Sequence, residues 1–142
     1  IFIDLPRLID PLSAMVMEAS NQVVIVVQQS LAHMRDAKRL VKIMRTELNI
    51  QEKNIFIVVN RYNKDNSFTI KDIKNTLECQ NILKIPNDYE RVAAATNLGL
   101  PLLDYAKNTK ITESLITLSE TLGIPIDEKF KHRSLFDKIL FR

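Results

Sequence analysis

Two continuous apolar runs separated by a helical segment constrain the fold of this chain more than any other feature. Residues 22–28 and 54–60 are rich in valine and isoleucine, which is typical of strands buried on both faces of a parallel sheet. Between them, Ser30 precedes apolar residues at helical spacing up to about Leu48, so we predict a long capped helix there. This order predicts a doubly wound α/β fold with a mainly parallel sheet and helices on both faces.

The remaining elements are predicted from caps, turns and short apolar runs. Asp10 and Pro11 occupy the N-cap and first-turn positions of a helix, and Gly123 ends the last one. We predict helices at residues 10–19, 69–77, 88–96 and 112–122, a helical turn at 102–107, and strands at 1–5 and 81–85, the second a weak edge strand closed by Pro86.

The composition excludes several kinds of site. The 142 residues carry a net charge of only +3, so overall charge does not indicate nucleic acid as a partner. The two glycines, Gly99 and Gly123, are too few for a glycine-rich phosphate loop within this chain. The single cysteine, Cys79, fits a reducing cytosol and is interpreted as a core or surface thiol. No apolar run approaches the roughly 20 residues that cross a bilayer.

Asp4 is the first candidate site residue. It follows three apolar residues at the carboxyl end of a predicted strand, where open α/β sheets bind ligands. A buried carboxylate there needs a partner or a metal, and nucleotide-hydrolysing folds use such an aspartate to hold magnesium, directly or through water. The alternative is that Asp4 only caps the following turn.

A second candidate group lies at the ends of the later strands. Asn60 and Arg61 close the strand at 54–60, and an asparagine amide offers the donors and the acceptor that suit the edge of a purine. The alternative is an asparagine that only forms a turn. Pro86 and Asn87, taken alone, indicate a turn that ends the edge strand.

The long helix carries a basic stripe at intervals of three and four residues. It could be a solvated helix face, or it could bind DNA phosphate or an acidic protein. The stripe consists of Arg35, Lys38, Arg39, Lys42 and Arg45.

The C-terminal tail, residues 126–142, is basic and amphipathic. Leu135, Phe136, Ile139 and Leu140 share one face of a predicted helix, which could lie in a membrane interface, dock on its own domain or fray. Neither histidine of the chain has a metal-ligand partner at useful spacing, so no direct metal site on protein side chains is predicted.

Taken in order, these segments resemble the MinD/ParA superfamily of deviant Walker A ATPases. The similar stretches are residues 2–7, 22–27, 30–40, 58–62, 85–88 and 92–102. The Asp-Leu-Pro-Arg sequence at 4–7 and the Ser-Leu-Ala-x-x-Arg-Asp-Ala-Lys-Arg sequence at 30–39 are most similar to the CpaE/TadZ pilus-assembly branch.

The resemblance implies a site for ATP or ADP with magnesium. It would make Asp4 the Walker B acidic residue and Asn60 the adenine contact, with Arg61 nearby. Pro86 and Asn87 would form the adenine-side loop, while Pro6 and Arg7 would be the switch-like residues. Arginine and leucine after Pro6 cannot give the γ-phosphate the close backbone approach that glycine gives, so at most a weak ATPase is expected.

The resemblance also implies a cytoplasmic homodimer that organises Flp (tight-adherence) pilus assembly, with pilus-assembly proteins as partners at the inner membrane or a cell pole. Residues 1–125 would be the C-terminal half of the ATPase domain, whose phosphate loop and its strand are not in this chain. We therefore expect a gap between the strands at 1–5 and 22–28, and we expect this chain not to fold cooperatively alone.

Three rival functions remain open. A ParA-like partitioning ATPase would bind DNA through the basic stripe. A MinD-like ATPase would cycle on and off the membrane through the tail. A nucleotide-free scaffold would use the fold without binding ATP.

Overall fold

The computed structural model of the chain describes residues 1–6 and 9–126. Its elements are α1 (Pro11–Ala19), β1 (Val23–Val27), α2 (Leu31–Thr46), a 3-10 turn (Glu52–Asn54), β2 (Ile55–Tyr62), α3 (Ile70–Leu77), β3 (Ile82–Pro86), α4 (Tyr89–Asn97), α5 (Leu102–Tyr105) and α6 (Lys110–Thr121). The predicted helices and the three later strands are thus confirmed, with bounds that shift by one or two residues.

The strands form one parallel sheet in the order β1-β2-β3. β1 pairs with β2 in the register that sets Val23 beside Ile55 and Val27 beside Val59. Parallel pairing of β3 follows from two backbone bonds, because the donor and the acceptor both advance along the chain: Ile57 N–H donates to Asn81 O, and Asn87 N–H donates to Tyr62 O. The predicted α/β fold with a parallel sheet is therefore confirmed.

The chain divides into two compact units. The first unit comprises Ile1–Val59 and Lys64–Leu83. The helices α2 and α3 pack against each other here, and α2 also contacts β1. The α2 residues that are buried repeat at helical spacing: Met34, Ala37, Val41 and Met44.

Side-chain caps begin each helix of this unit. Asp10 accepts from Ser13 N–H at 2.7 Å, and Ser30 Oγ accepts from His33 N–H at 3.3 Å. Thr69 and Asp72 form a capping box at the start of α3. Each cap pairs a helix amide that would otherwise lack a partner, which explains why the helices begin at these residues.

Burial on both faces holds for β2 but not for β1. All five residues from Ile55 to Val59 are buried. In β1 alternate residues are buried, whereas Val24 is 38% and Val26 63% exposed. The prediction of two-sided burial is therefore wrong for β1, because nothing within residues 1–6 and 9–126 covers the face that carries Val24 and Val26.

The predicted strand at residues 1–5 is wrong. These residues form no strand in the structure, and Ile1, Phe2 and Ile3 are exposed. A strand exists only where a neighbour pairs with its backbone, and no segment within residues 1–6 and 9–126 pairs with this one.

Cys79 lies in the core of the first unit, in the segment between α3 and β3. It is fully buried, and its Sγ lies 3.6 Å from Ile55 O. Burial raises the pKa of the Cys79 thiol, which makes it an unreactive core side chain.

The second unit comprises Asn60–Asn63 and the chain from Lys84 onward. The helices α4 and α5 contact each other in it, and Ala95, Ala106 and Ile111 are buried. The buried Thr112 hydroxyl donates to Ala106 O at 2.6 Å, so this polar group keeps a partner inside the unit. Gly99 follows α4 with a φ of +65°, a left-handed conformation that glycine adopts without strain.

Candidate functional site

Four of the predicted site residues lie together in the second unit, where β2 and β3 end. Asn60 and Arg61 are the two residues before the last residue of β2. Pro86 ends β3, and Asn87 follows it directly. Asn60 and Pro86 are half-buried, whereas Arg61 and Asn87 are exposed. Because these strands are parallel, their carboxyl ends lie at one edge of the sheet, which is the edge where open α/β sheets bind ligands.

The backbone turns sharply at Arg61. Its φ is +51°, in the left-handed region that few side chains adopt. Its N–H donates to Oδ1 of the preceding Asn60 at 2.9 Å, which removes this amide from the sheet ladder. The strand was predicted to end at Asn60, but it continues to Tyr62 because the pairing resumes one residue after the turn.

Two contacts hold Tyr62 in place after this turn. Asn87 N–H donates to Tyr62 O at 3.1 Å, and Lys84 Nζ lies 5.4 Å from the centroid of the Tyr62 ring. A lysine over an aromatic face is an attractive cation–π contact. The end of β2 is thus tied to β3 through both its backbone and its side chain.

Sequence reasoning missed Tyr62 and Lys84 as members of this site. They are 22 positions apart in the chain, and only the pairing of β2 with β3 brings them together. An aromatic residue directly after Asn60 and Arg61 was the one signal in the sequence.

The amide of Asn60 has a defined orientation. Its oxygen points to Arg61 N–H, which leaves one oxygen lone pair and the two amide hydrogens for a ligand. A donor beside an acceptor matches the N7 and N6 positions of adenine. The nearby cations of Arg61 and Lys84, both exposed, favour an anionic ligand such as a nucleotide. The base side of the predicted ATP or ADP site therefore fits these residues.

Asp88 begins α4 without capping it. Its side chain makes no hydrogen bond to the helix amides and instead accepts from Arg91 Nη1 at 2.8 Å. The ion pair keeps a carboxylate at this edge neutralised, so Asp88 adds little negative charge beside Asn87.

Asp4 and Pro6 belong to the first unit and have a different environment from the predicted one. Both are exposed, in a segment without helix or strand. The predicted burial of Asp4 at the end of an inner strand is wrong for this reason. Its role as the magnesium-associated residue stays a prediction, and Arg7, the second switch-like residue, lies outside the described residues.

The basic stripe on α2 is exposed over most of its length. Arg35, Lys38, Arg39 and Lys42 are all exposed, as a solvated face or an anion-binding face requires. Arg45 differs, because it is half-buried and bonded within the first unit. Its Nη2 donates to Glu78 O at 2.6 Å and lies 3.3 Å from a carboxylate oxygen of Glu52.

The described residues also bear on metal and membrane binding. Within residues 1–6 and 9–126, no group of three or more His, Cys, Asp or Glu side chains is placed to hold a metal ion. No helix in the same part of the chain is both long and apolar enough to span a bilayer. The proposed membrane face, Leu135, Phe136, Ile139 and Leu140, lies outside the described residues.

The structure is similar to the crystal structure of a ParA family ATPase from Chlorobium tepidum TLS. The TM-score is 0.67 at 22% sequence identity, and the match covers 78% of this chain and 45% of that chain. No protein-family model and no curated protein matches the chain. At 22% identity, this structural similarity shows the fold alone. This chain therefore has the α/β fold of a ParA family ATPase and spans less than half the length of that neighbour.

Proposed function

We propose that this chain belongs to a nucleotide-binding, ATPase-like protein, with the adenine base held at Asn60. The observation that carries the proposal is the paired end of β2 and β3, where Asn60 presents a donor and an acceptor beside Arg61 and Asn87. The similarity in fold to a ParA family ATPase supports it. ATP or ADP with magnesium is the proposed ligand, and Asp4 is the proposed magnesium-associated residue.

The test is binding of a fluorescent ATP analogue to the full-length protein in the presence of magnesium. Asn60→Ala removes both base contacts, so the affinity should fall about tenfold, as expected for the loss of one or two hydrogen bonds. Asn97→Ala is the matched control, because Asn97 is an exposed asparagine of the same unit at the end of α4. No binding by the wild-type protein, or equal losses in the two variants, would contradict the proposal.

The proposed cellular role is the organisation of pilus assembly by a dimer of this protein with weak ATPase activity. The support is the similarity of residues 4–7 and 30–39 to the CpaE/TadZ branch. Deleting the gene should abolish assembly of tight-adherence pili, and a fluorescent fusion should gather at a cell pole. Normal piliation in the deletion strain would exclude this role while leaving nucleotide binding intact.

A second candidate function, DNA partitioning, rests on the four exposed cations of α2. Replacing Arg35, Lys38 and Lys42 by glutamine should abolish a salt-dependent DNA mobility shift, because phosphate contacts release counterions. A matched triple replacement of Lys53, Lys64 and Lys71, all exposed, should leave the shift unchanged. Equal effects of the two triple variants would indicate that overall charge, and not this stripe, binds DNA.

A further inference from the structure

Three large apolar side chains of the second unit are exposed around the turn that joins α4 to α5. Leu98 is 62%, Leu100 49% and Tyr105 41% exposed. We call these three residues the α4–α5 patch. Apolar side chains that stay in water forgo the free energy of burial, and a group of them marks a surface where another segment binds.

The turn after α4 explains why Leu100 is uncovered. Gly99 N–H donates to Thr96 O at 3.1 Å. Leu100 N–H donates to Ala95 O at 3.0 Å, which completes a Schellman motif. In this motif the residue after the glycine usually packs on an apolar side chain in the last turns of the helix. The residues at that place are Ala94 and Ala95, and their side chains are too short to cover a leucine.

The end of α6 has the same kind of turn, but its apolar residues are better covered. Gly123 has a φ of +69°, and two backbone bonds of the same pattern close the turn. Leu118 occupies the position that Ala94 has in α4, and Ile124 is half-buried. Because Ile126 is half-buried as well, the chain still lies against the second unit at the last described residue.

The tail, residues 127–142, continues from this point and carries an apolar face of its own. Only eight residues, 127–134, separate Ile126 from that face. Fully extended, they reach about 28 Å, whereas a compact unit of this size has a radius of gyration of about 10 Å. The α4–α5 patch is therefore within reach of the apolar residues of the tail, which are Leu135, Phe136, Ile139 and Leu140.

The short tether favours the tail of the same chain over the tail of a second copy. A tether of this length gives an effective concentration of about 1 mM. A contact with a Kd of about 0.1 mM would then be formed in about nine chains out of ten. The same contact between two copies, at a protein concentration of about 1 μM, would be formed in about one chain in a hundred.

We propose that the α4–α5 patch is the docking site for the apolar face of the chain's own tail. The docked tail covers Leu98, Leu100 and Tyr105, and it withholds its own apolar face from lipid and from other proteins. This inference is independent of nucleotide binding, because neither surface includes the residues proposed to hold the base.

Limited trypsin digestion of the full-length protein tests the proposal, because the tail contains Lys131, Arg133 and Lys138 as cleavage sites. Mass spectrometry measures the rate of cleavage at these sites. Cleavage of a docked segment follows the fraction of chains in which it is undocked, about one in ten for the contact considered above. The double variant Leu100→Ser/Tyr105→Ser should therefore be cleaved in the tail about tenfold faster than the wild-type protein.

The matched control is Val92→Ser. Val92 is an exposed apolar residue of α4 outside the patch, so its replacement should leave the cleavage rate unchanged. Circular dichroism and thermal unfolding check the fold of each variant. If the patch variant does not fold, Phe136→Ser/Ile139→Ser removes the contact from the side of the tail and should give the same increase of about tenfold.

The dependence on protein concentration and on lipid identifies the occupant. Equal protection of the tail at about 1 μM and about 100 μM protein supports docking within one chain, whereas protection that grows with concentration identifies a second copy. Protection that arises only when phosphatidylglycerol vesicles are added identifies a membrane surface. Either of these last two results overturns the proposal. A wild-type tail that is cleaved as fast as that of the patch variant, or an equal increase in Val92→Ser, overturns it too.

Discussion

Arg45 Nη2 donates to the carbonyl oxygen of Glu78 at 2.6 Å, across 33 positions of sequence. Arg45 lies in the last turn of α2, and Glu78 is the C-cap of α3. The same nitrogen lies 3.3 Å from the carboxylate of Glu52. One guanidinium therefore joins the C-terminal ends of the two helices that pack together in the first unit. Helix C-termini carry partial negative charge, which a cation stabilises.

Replacing Arg45 should destabilise the protein more than replacing its exposed neighbour. Arg45→Met keeps the aliphatic volume but leaves Glu78 O without its charged donor, so we expect a loss of about 1–2 kcal/mol in the free energy of unfolding. Lys42→Met, one turn earlier on the exposed face, should change it by less than about 0.5 kcal/mol. Urea unfolding of the full-length protein measures both, here and in the predictions that follow. Equal effects would show that the contact adds nothing beyond a surface charge.

Glycine at position 78 should stabilise the protein. Glu78 has a φ of +51°, which costs a side-chain-bearing residue free energy that glycine avoids. Because Arg45 binds the Glu78 backbone, Glu78→Gly keeps that bond. We expect the free energy of unfolding to rise by about 0.5–1 kcal/mol.

The matched control for that change is Glu47→Gly. Glu47 is the C-cap of α2 and has a right-handed conformation with a φ of −104°. Glycine relieves no backbone strain there, and it increases the conformational entropy of the unfolded chain. The control should therefore be neutral or destabilising by urea unfolding. A stabilising effect at both positions would mean that loss of negative charge, and not backbone conformation, is the cause.

Local signals in the sequence predicted the helices and the paired strands well. The side chains of Asp10, Ser30 and Thr69 act on amides only three residues away, so their caps are visible in the sequence. The continuous apolar run of β2 likewise predicts burial, because the whole pattern lies within one segment of the sequence.

The errors concern relations between distant segments. Residues 1–5 have the composition of a strand, but a strand depends on a paired neighbour that composition does not reveal. Arg45 fits the spacing of a surface stripe, and its bond to Glu78 arises from the packing of α3 on α2. At the candidate site, Asn60 and Asn87 were predicted individually. The left-handed turn at Arg61 and the contact of Lys84 with Tyr62 required the pairing of strands.

The two sheet strands of the first unit should respond differently to truncation. Ile57 in β2 is fully buried, whereas Val26 in β1 is 63% exposed. Ile57→Ala should lower the free energy of unfolding by about 2–5 kcal/mol, because it removes buried methyl groups and leaves a cavity. Val26→Ala should cost less than about 1 kcal/mol. A large effect at Val26, measured by urea unfolding, would show that this face of β1 is covered in the folded protein.

The capping box of α3 predicts a loss of stability in acid. The Asp72 carboxylate accepts from Thr69 Oγ1 at 2.6 Å and from Thr69 N–H at 2.9 Å, and these bonds lower the pKa of Asp72 below its ordinary value of 3.8. A carboxylate whose pKa is lower in the folded protein than in the unfolded chain stabilises the fold at pH values above its unfolded-state pKa. This stabilisation is lost as the pH falls through the folded-state pKa. Stability should therefore decline as the pH drops through and below about 3.8, and Asp72→Asn should make this decline shallower.

Position 69 provides a matched pair that tests the cause of the acid effect. Thr69→Ser keeps the hydroxyl that donates to Asp72, so the slope of the urea midpoint against pH should match that of the wild-type protein. Thr69→Val keeps the shape but removes the hydroxyl, which is the largest contribution to the lowered pKa of Asp72, so the slope should become shallower. If valine and serine give the same slope, the hydroxyl is not the source of the pH dependence. The Asp10 carboxylate, which accepts a hydrogen bond from Ser13 N–H at the start of α1, would then be the next to test, because this bond also lowers the pKa of Asp10.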